Sequence, residues 1–506
     1  MSDRKPSISE FSRRKVLQGA GAAGAAGLLF GGTISAQSNQ DNEPESEEEP
    51  EDPSTITEEA RFNVGYSNSD GAQMVEKVAD EVCRKIEPIG MMTINAGLKE
   101  LQEFQESDDV DFIEVDLEVQ VDLPPQDIQA QQEPNGQIVP WGIERIGSLE
   151  AHESGFRGEN VDVAVLDSGI YPSHEDLYEN IGEGFAPIPC QGDCEEEWDD
   201  DHGHGTHVAG TIAALDNEIG VLGVAPDITL HSVKVLDENN AGTISAIVDG
   251  LVWTAEQGYD IANMSLGGPN SLAMQLAIEF AHEQGVLLVA AAGNAGLPQV
   301  SFPAAYEETI AVSATTPEDT HAVFSNFGPE IELAAPGVEI LSTLPPNVTI
   351  NPTSELYGEL QGTSMATPHV SGVGALLMAL GYSAEETREF MNETAEDLGL
   401  PPEEQGSGLV NAAAVEAEPE PSDPVRELLR LVNEAVQLVQ QAVQLILSGG
   451  SLDEARRLLR NAAQLLQEAR EIFRGLDESE ASEVRSDLTS AEDDLAEAEC
   501  LLTEEE

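Results

Sequence analysis

Short apolar runs recur through the middle of the chain, and different patterns flank them. Val161 to Leu166 is apolar except for Asp162 and reads as a strand buried on both faces, as in a parallel sheet. Gly285 to Ala291 reads the same way and runs into the loop Gly293-Asn294-Ala295-Gly296. Met365 to Leu380 reads as a helix that Ser364 opens. Before this block the spacing predicts a strand at Phe62 to Tyr66, a helix around Ala72 to Lys85 and a strand near Met91 to Ile94. The alternating segment Val110 to Val115 completes a small α+β unit. After Ala412 comes an acidic, proline-rich linker, and then Leu428, Leu431, Val432, Ala435, Val436, Val439, Ala442, Val443 and Ile446 recur at helical spacing. Ser451-Leu452-Asp453-Glu454 has the form of a capping box opening a second helix, and Gly475 separates it from a third that ends near Leu502. These three patterns predict a helical bundle or coiled-coil tail, whose apolar stripes are either its own core or a surface for self-association.

With 506 residues the chain is long enough for about three folded units. Its 96 acidic and 22 basic residues give a formal charge of -74, which excludes nucleic acid as a partner. The acidity runs through the apolar-patterned centre as well as the flanks. That spread predicts a protein adapted to high salt, where counterions screen its self-repulsion. Residues 1–36 hold Ser12-Arg13-Arg14-Lys15-Val16-Leu17, a Gly/Ala-rich stretch to Gly32 and a small-residue site near Ser35-Ala36, the pattern of a twin-arginine export signal. Its apolar run is too short to span a bilayer, so no stable membrane anchor is expected and the product is extracellular. Residues 37–57 form an acidic linker.

The candidate chemistry lies in three segments, in this order: Val163-Ala164-Val165-Leu166-Asp167-Ser168-Gly169, then Asp201-His202-Gly203-His204-Gly205-Thr206-His207, then Gly362-Thr363-Ser364-Met365-Ala366-Thr367-Pro368-His369. A serine hydroxyl becomes a competent nucleophile only when an imidazole takes its proton and a buried carboxylate holds that imidazole. Ser364, His204 and Asp167 fit those roles. Three histidines beside Cys190 and Cys194 also have the composition of a metal site, which stands as the rival reading of that stretch.

The order Asp, His, Ser is that of subtilisin. Together with Val139-Pro140-Trp141-Gly142, Ile219-Gly220-Val221-Leu222-Gly223-Val224-Ala225-Pro226, Asn263-Met264-Ser265-Leu266-Gly267-Gly268 and Ala291-Ala292-Gly293-Asn294, it makes residues 135 to 415 resemble the subtilisin-like serine endopeptidases, most of all the halolysins, extracellular proteases of haloarchaea. The resemblance implies an α/β fold: a subtilisin-like parallel sheet sandwiched by helices, with an α+β ferredoxin-like prosegment before it and the α-helical C-terminal tail after it. The corresponding boundaries are 58–125 for the prosegment, 126–415 for the catalytic domain, 416–424 for a linker and 425–506 for the tail.

The resemblance also implies the roles of further residues. His204 is the base, and His207 packs inside the helix that His204 begins. The Ser364 backbone N–H and Asn294 form the oxyanion site. Ser265, Leu266, Gly267 and Gly242 pair with the backbone of protein and peptide substrates, and Ser301 lines the primary specificity pocket, behind a loop shorter than in the best-known members. A structural calcium is held by Gln137, Asp176, Leu215, Asn217, Ile219 and Val221. The prosegment acts as an intramolecular inhibitor until a self-processing step removes it. In an exported protein, Cys190 and Cys194 are expected to close a small disulfide loop; Cys83 lies in the prosegment and Cys500 in the tail.

Overall fold

The computed structural model of the chain describes residues 59–97, 101, 107, 109–121, 123–124, 129–131, 136–192, 194–416 and 452–474, with single positions between 432 and 446 and between 485 and 502. The export signal and acidic linker expected over 1–57 lie outside these, as do Ser451 and Cys500. Two compact units are formed, one up to Ala413 and one from Ala414 onward.

The first unit opens with β1 (Glu59–Tyr66), α1 (Ser69–Val78), β2 (Glu81–Ile86), β3 (Met91–Gly97) and β4 (Val110–Val115), whose four strands pair antiparallel in the order β2-β3-β1-β4. Asn68 starts α1 by accepting from the backbone N–H of Asp70 and Gly71. The helix ends at Val78, where Ala79 turns extended, so the expectation of one helix through Lys85 is corrected. Residues 81–86 form a strand because Val82 pairs opposite Ile94 and Ile86 is buried against the rest of the unit; pairing overrides a locally helix-prone sequence. Phe62, Val64, Val75, Met92, Ile94 and Ile113 fill this module's core. Two short strands follow, β5 (Glu118–Gln120) and β6 (Gln129–Gln131).

The centre of the unit is a parallel sheet. Its strands are β7 (Asp162–Asp167), β8 (Thr229–Lys234), β10 (Ile261–Met264), β11 (Leu287–Ala291), β12 (Thr309–Thr315) and β13 (Ile331–Pro336), with the short β9 (Ala241–Thr243) outside it. They are ordered β13-β12-β11-β10-β7-β8, every neighbouring pair parallel. Four of the helices around the sheet are α2 (His204–Ala213), α3 (Ile244–Gln257), α4 (Leu272–Glu283) and α5 (Thr363–Met378). Helices α3 and α4 pack together with Ala164, Leu166, Val233, Ala262, Met264 and Leu288 in one core, while α2 and α5 pack on each other and α5 covers β10 to β13. Val163, Ala164, Val165 and Leu166 are fully buried, as the apolar run predicts. Each large apolar side chain buried this way contributes about 1.5–3 kcal/mol. Successive strands are added in one direction from β7 to β8 and in the other from β10 onward, so the carboxyl ends of β7 and β10 flank a switch point, where open α/β sheets place their sites.

A hairpin of β14 (Ile340–Thr343) and β15 (Tyr357–Leu360) leads into α5, and β6 pairs on its β15 edge. β5 pairs antiparallel with β9, with Val119 opposite Gly242.

In the second unit α6 (Leu452–Phe473) contributes Ala455, Leu459, Ala462, Leu466 and Ala469 to one apolar core. Val432, Ala435, Val439, Ala442 and Ile446 enter that core from before it, and Leu488, Ala491, Ala498 and Leu502 from after it. Among the described residues no helix is long and apolar enough to cross a membrane.

Candidate active site

Asp167 is the last residue of β7 and is fully buried. The N–H groups of Val235 and Leu236 both donate to its carbonyl and fix the strand end. Its Oδ1 accepts from the Ser168 N–H at 2.7 Å and lies 2.7 Å from His204 Nδ1. His204 is the first residue of α2, also fully buried, and its Nε2 has no hydrogen-bond partner among the described residues. The approach of helix to strand depends on Gly205: a Cβ there would lie 2.1 Å from the carbonyl oxygen of Gly169.

Ser364 is the second residue of α5, where backbone N–H groups point outward and developing negative charge is favoured. Its hydroxyl donates to the Ser265 carbonyl at 3.1 Å, and the Ser265 hydroxyl donates back to the Ser364 carbonyl at 2.9 Å. Asn294 follows β11. Its Oδ1 accepts from Thr363 N–H at 2.8 Å and Thr363 Oγ at 3.0 Å, which turns Nδ2 toward Gly362. Gly362 has φ +150, and a Cβ built there would be 3.4 Å from that Nδ2 and 3.5 Å from Pro124 Cδ. The chain following β5 therefore passes beside this pair.

The expected substrate edges are brought together as well. Val119 of β5 lies between them, opposite Gly242 on one side and 3.1 Å from a Cβ built on Gly268 on the other. Gly267 packs on Ser301, whose side chain also lies by Gly293 and Asn326. Leu266 is buried beside them.

The loop of Leu215, Asn217, Ile219 and Val221 closes around Asp176. Val221 N–H donates to Asp176 Oδ2, while Oδ1 is buried with no partner among the described residues. Burial pushes the Asp176 carboxyl up to about 7. The Gln137 amide lies 2.6 Å from the Leu215 carbonyl and 3.2 Å from that of Val221. A half-turn of that amide would present its oxygen instead of its nitrogen. An unpartnered carboxylate oxygen, converging carbonyls and an amide form a hard-oxygen donor set that fits calcium.

Cys190 and Cys194 are joined, with S–S 2.00 Å, in the loop before His202; Cys83 is an exposed free thiol. The three histidines do not converge. His207 Nε2 meets the carbonyls of Ile340 and Gly358 inside the fold, and the rings of His202 and His204 stand 6.3 Å apart. Among the described residues no three His, Cys, Asp or Glu side chains gather as metal ligands, so nothing supports the metal reading of this stretch. Burial and the neighbouring His204 push His202 down to about 4.

Several residues around the pair escaped the sequence reading. Ser168, Asp200, Thr206 and Lys234 surround Asp167 and His204 with hydrogen bonds, and Glu114 and Asp116 bind the starts of α4 and α3. Asp200 stands four positions before His204 in an acidic run, and that placement was the only available signal.

A profile of the subtilase family matches residues 158–409. The chain is 42% identical over 345 residues to a thermostable alkaline protease of Halalkalibacterium halodurans, covering 67% of this chain and 87% of that protein. It is 45% identical over 281 residues to subtilisin Savinase of Lederbergia lenta, covering 55% and 98%. It is 44% identical over 320 residues to alkaline elastase YaB of a Bacillus species, covering 60% and 80%. A parallel α/β sheet with a buried Asp–His pair at its switch point and a serine at a helix start, matched over 80–98% of the length of these proteases, places the chain in the subtilase family of serine endopeptidases.

Proposed function

We propose that the protein is an exported, salt-adapted, halolysin-like endopeptidase, made as a self-processing zymogen and acting on proteins and peptides through Asp167, His204 and Ser364. The observation that carries this reading is the buried 2.7 Å contact between Asp167 and His204, which leaves Nε2 as the one unpartnered nitrogen of that ring. In this reading the Ser364 hydroxyl leaves the Ser265 carbonyl and donates to that nitrogen once substrate is in place, since catalytic hydrogen bonds often tighten only then. Ser364 Oγ then adds to the peptide carbonyl carbon as its proton moves to Nε2. The C–N bond breaks as that proton passes to the leaving amine, and water, activated the same way, hydrolyses the acyl-serine. Asp167 stabilises the imidazolium, and the Ser364 N–H and Asn294 Nδ2 hold the oxyanion.

Residues 58–125 act as the inhibitory prosegment: β5 sits between the edges at Gly242 and Gly268 as a substrate strand would. Calcium bound at the Asp176 loop serves structure. The charge of -74 supports operation in concentrated salt, and the twin-arginine pattern supports an extracellular location. The test is hydrolysis of casein by the full chain in multimolar salt beside Ser364→Ala. Hydrolysis lost in the variant supports the reading, and equal hydrolysis by both overturns it.

A further inference from the structure

The run Asp199-Asp200-Asp201 looks like a solvated acidic face, yet Asp199 and Asp200 are each only 4% exposed. Asp199 accepts from the N–H groups of Glu195 and Asp200, and Asp201 accepts from Gln191 N–H and from Lys234. Asp200 is the most heavily bonded of the three. Its Oδ1 accepts from Ser168 Oγ at 2.8 Å, His202 N–H at 3.0 Å and Gly203 N–H at 2.8 Å; its Oδ2 accepts from Thr206 N–H at 2.9 Å and Thr206 Oγ at 2.6 Å.

These five donors come from both sides of one junction. Ser168 directly follows Asp167, while residues 202, 203 and 206 surround His204. Ser168 closes the link by accepting from Gly205 N–H at 2.9 Å. Its carbonyl is held by the fully buried Lys234, whose ammonium also donates to Asp201 and to the Leu236 carbonyl. The helix that His204 begins has no side-chain cap at Gly203, so Asp200 and Ser168 satisfy N–H groups that would otherwise be orphaned there. Asp200 also puts a negative charge at a helix N-terminus, where the macrodipole would disfavour a cationic His204.

We propose that Asp200 is a positioning residue for the Asp167–His204 pair, clamping the strand end that carries the carboxylate to the helix start that carries the imidazole. The inference rests on the reading that this pair and Ser364 perform the chemistry. Asp200 touches no reacting atom; it fixes the geometry through Ser168, Gly203 and Thr206. In Asp200→Asn one oxygen keeps its donors, but an NH2 replaces the oxygen facing Thr206 N–H, so two donors oppose each other. Ser168→Ala removes the bridge to Gly205 and leaves Asp200 four donors.

The test uses the full chain. kcat and KM on a peptide anilide, the rate of Ser364 labelling by a fluorophosphonate, and the downfield proton resonance between His204 Nδ1 and Asp167 are compared among parent, Asp200→Asn and Ser168→Ala. A displacement on the order of 1 Å lowers rate about a hundredfold. The expected result is therefore a kcat about a hundredfold lower in Asp200→Asn and roughly tenfold lower in Ser168→Ala, with KM within about twofold, slower labelling and a shifted or broadened resonance. If Asp200→Asn lowers only the melting temperature, with kcat and resonance unchanged, the residue is a structural cap and the inference is overturned. If that variant does not fold, Ser168→Ala decides, and a kcat within about twofold of the parent overturns it. A folded parent freed of its prosegment that still does not label overturns the catalytic reading itself, whereas a labelled parent with unaffected variants overturns this inference alone.

Discussion

Asn294 joins two tasks that substitution can separate. Its Oδ1 accepts from the N–H and the hydroxyl of fully buried Thr363, and that engagement turns Nδ2 toward Gly362, beside the proposed oxyanion site. In Asn294→Ala both tasks are lost. Losing the donor should lower turnover by about 10²–10³, equal to roughly 2.7–4 kcal/mol, a magnitude known from the corresponding donor of subtilisin itself rather than worked from this structure. Leaving the Thr363 N–H buried and unpaired should lower stability by a further ~1–3 kcal/mol. Asn294→Asp keeps an acceptor for Thr363 but replaces the donor with a negative oxygen. Its turnover should fall at least as far, while its stability stays close to that of the parent. Turnover is read on a peptide anilide, and stability from denaturant midpoints in a Ser364→Ala background that prevents self-digestion. An Asp variant that keeps turnover within tenfold of the parent, or an Ala variant as stable as the parent, would refute the assignment.

Buried histidines should make the fold acid-labile. Desolvation pushes His207 down to about 3 and His369 to about 4, so below the ordinary imidazole value of ~6.5 the unfolded chain takes up protons that the folded chain refuses. Stability is therefore full above that value and lost as pH falls toward 4; denaturant midpoints of Ser364→Ala that stay flat from pH 7 to 4.5 would contradict this. Calcium should raise the melting temperature of Ser364→Ala, a strong chelator should lower it, and Asp176→Asn should blunt both responses. Saturation at a hundred times the dissociation constant is worth about 2.7 kcal/mol, and no chelator effect would remove the site. Diluting salt should lower the unfolding midpoint as repulsion among 96 carboxyl-bearing residues is unscreened; a midpoint independent of salt would refute the adaptation.

The sheet strands could be read from the sequence where burial is complete, since a run such as Val163 to Leu166 has no other stable place. The residues of the Asp–His pair could be read because the chemistry proposed for them restricts residue types and their spacing. The strand Glu81–Ile86 could not, because it exists through pairing with β3 and its own residues carry a helical pattern. Nor could the sequence show that β5 lies between Gly242 and Gly268, or that Ser364 donates to Ser265, since both depend on contacts between distant segments. The burial of Asp199 and Asp200 was equally hidden, because charge alone does not show that these carboxylates are enclosed by backbone N–H groups, with a buried lysine beside Asp201.

The central claim is that Ser364 is the nucleophile and that His204 and Asp167 activate it. The most direct test is to react the folded full chain with a serine-directed fluorophosphonate in multimolar salt and map the adduct by mass. The account predicts one adduct, on Ser364, absent in Ser364→Ala and formed far more slowly in His204→Ala and Asp167→Ala. An adduct on another residue, or labelling of Ser364 at the parent rate without His204, would contradict it.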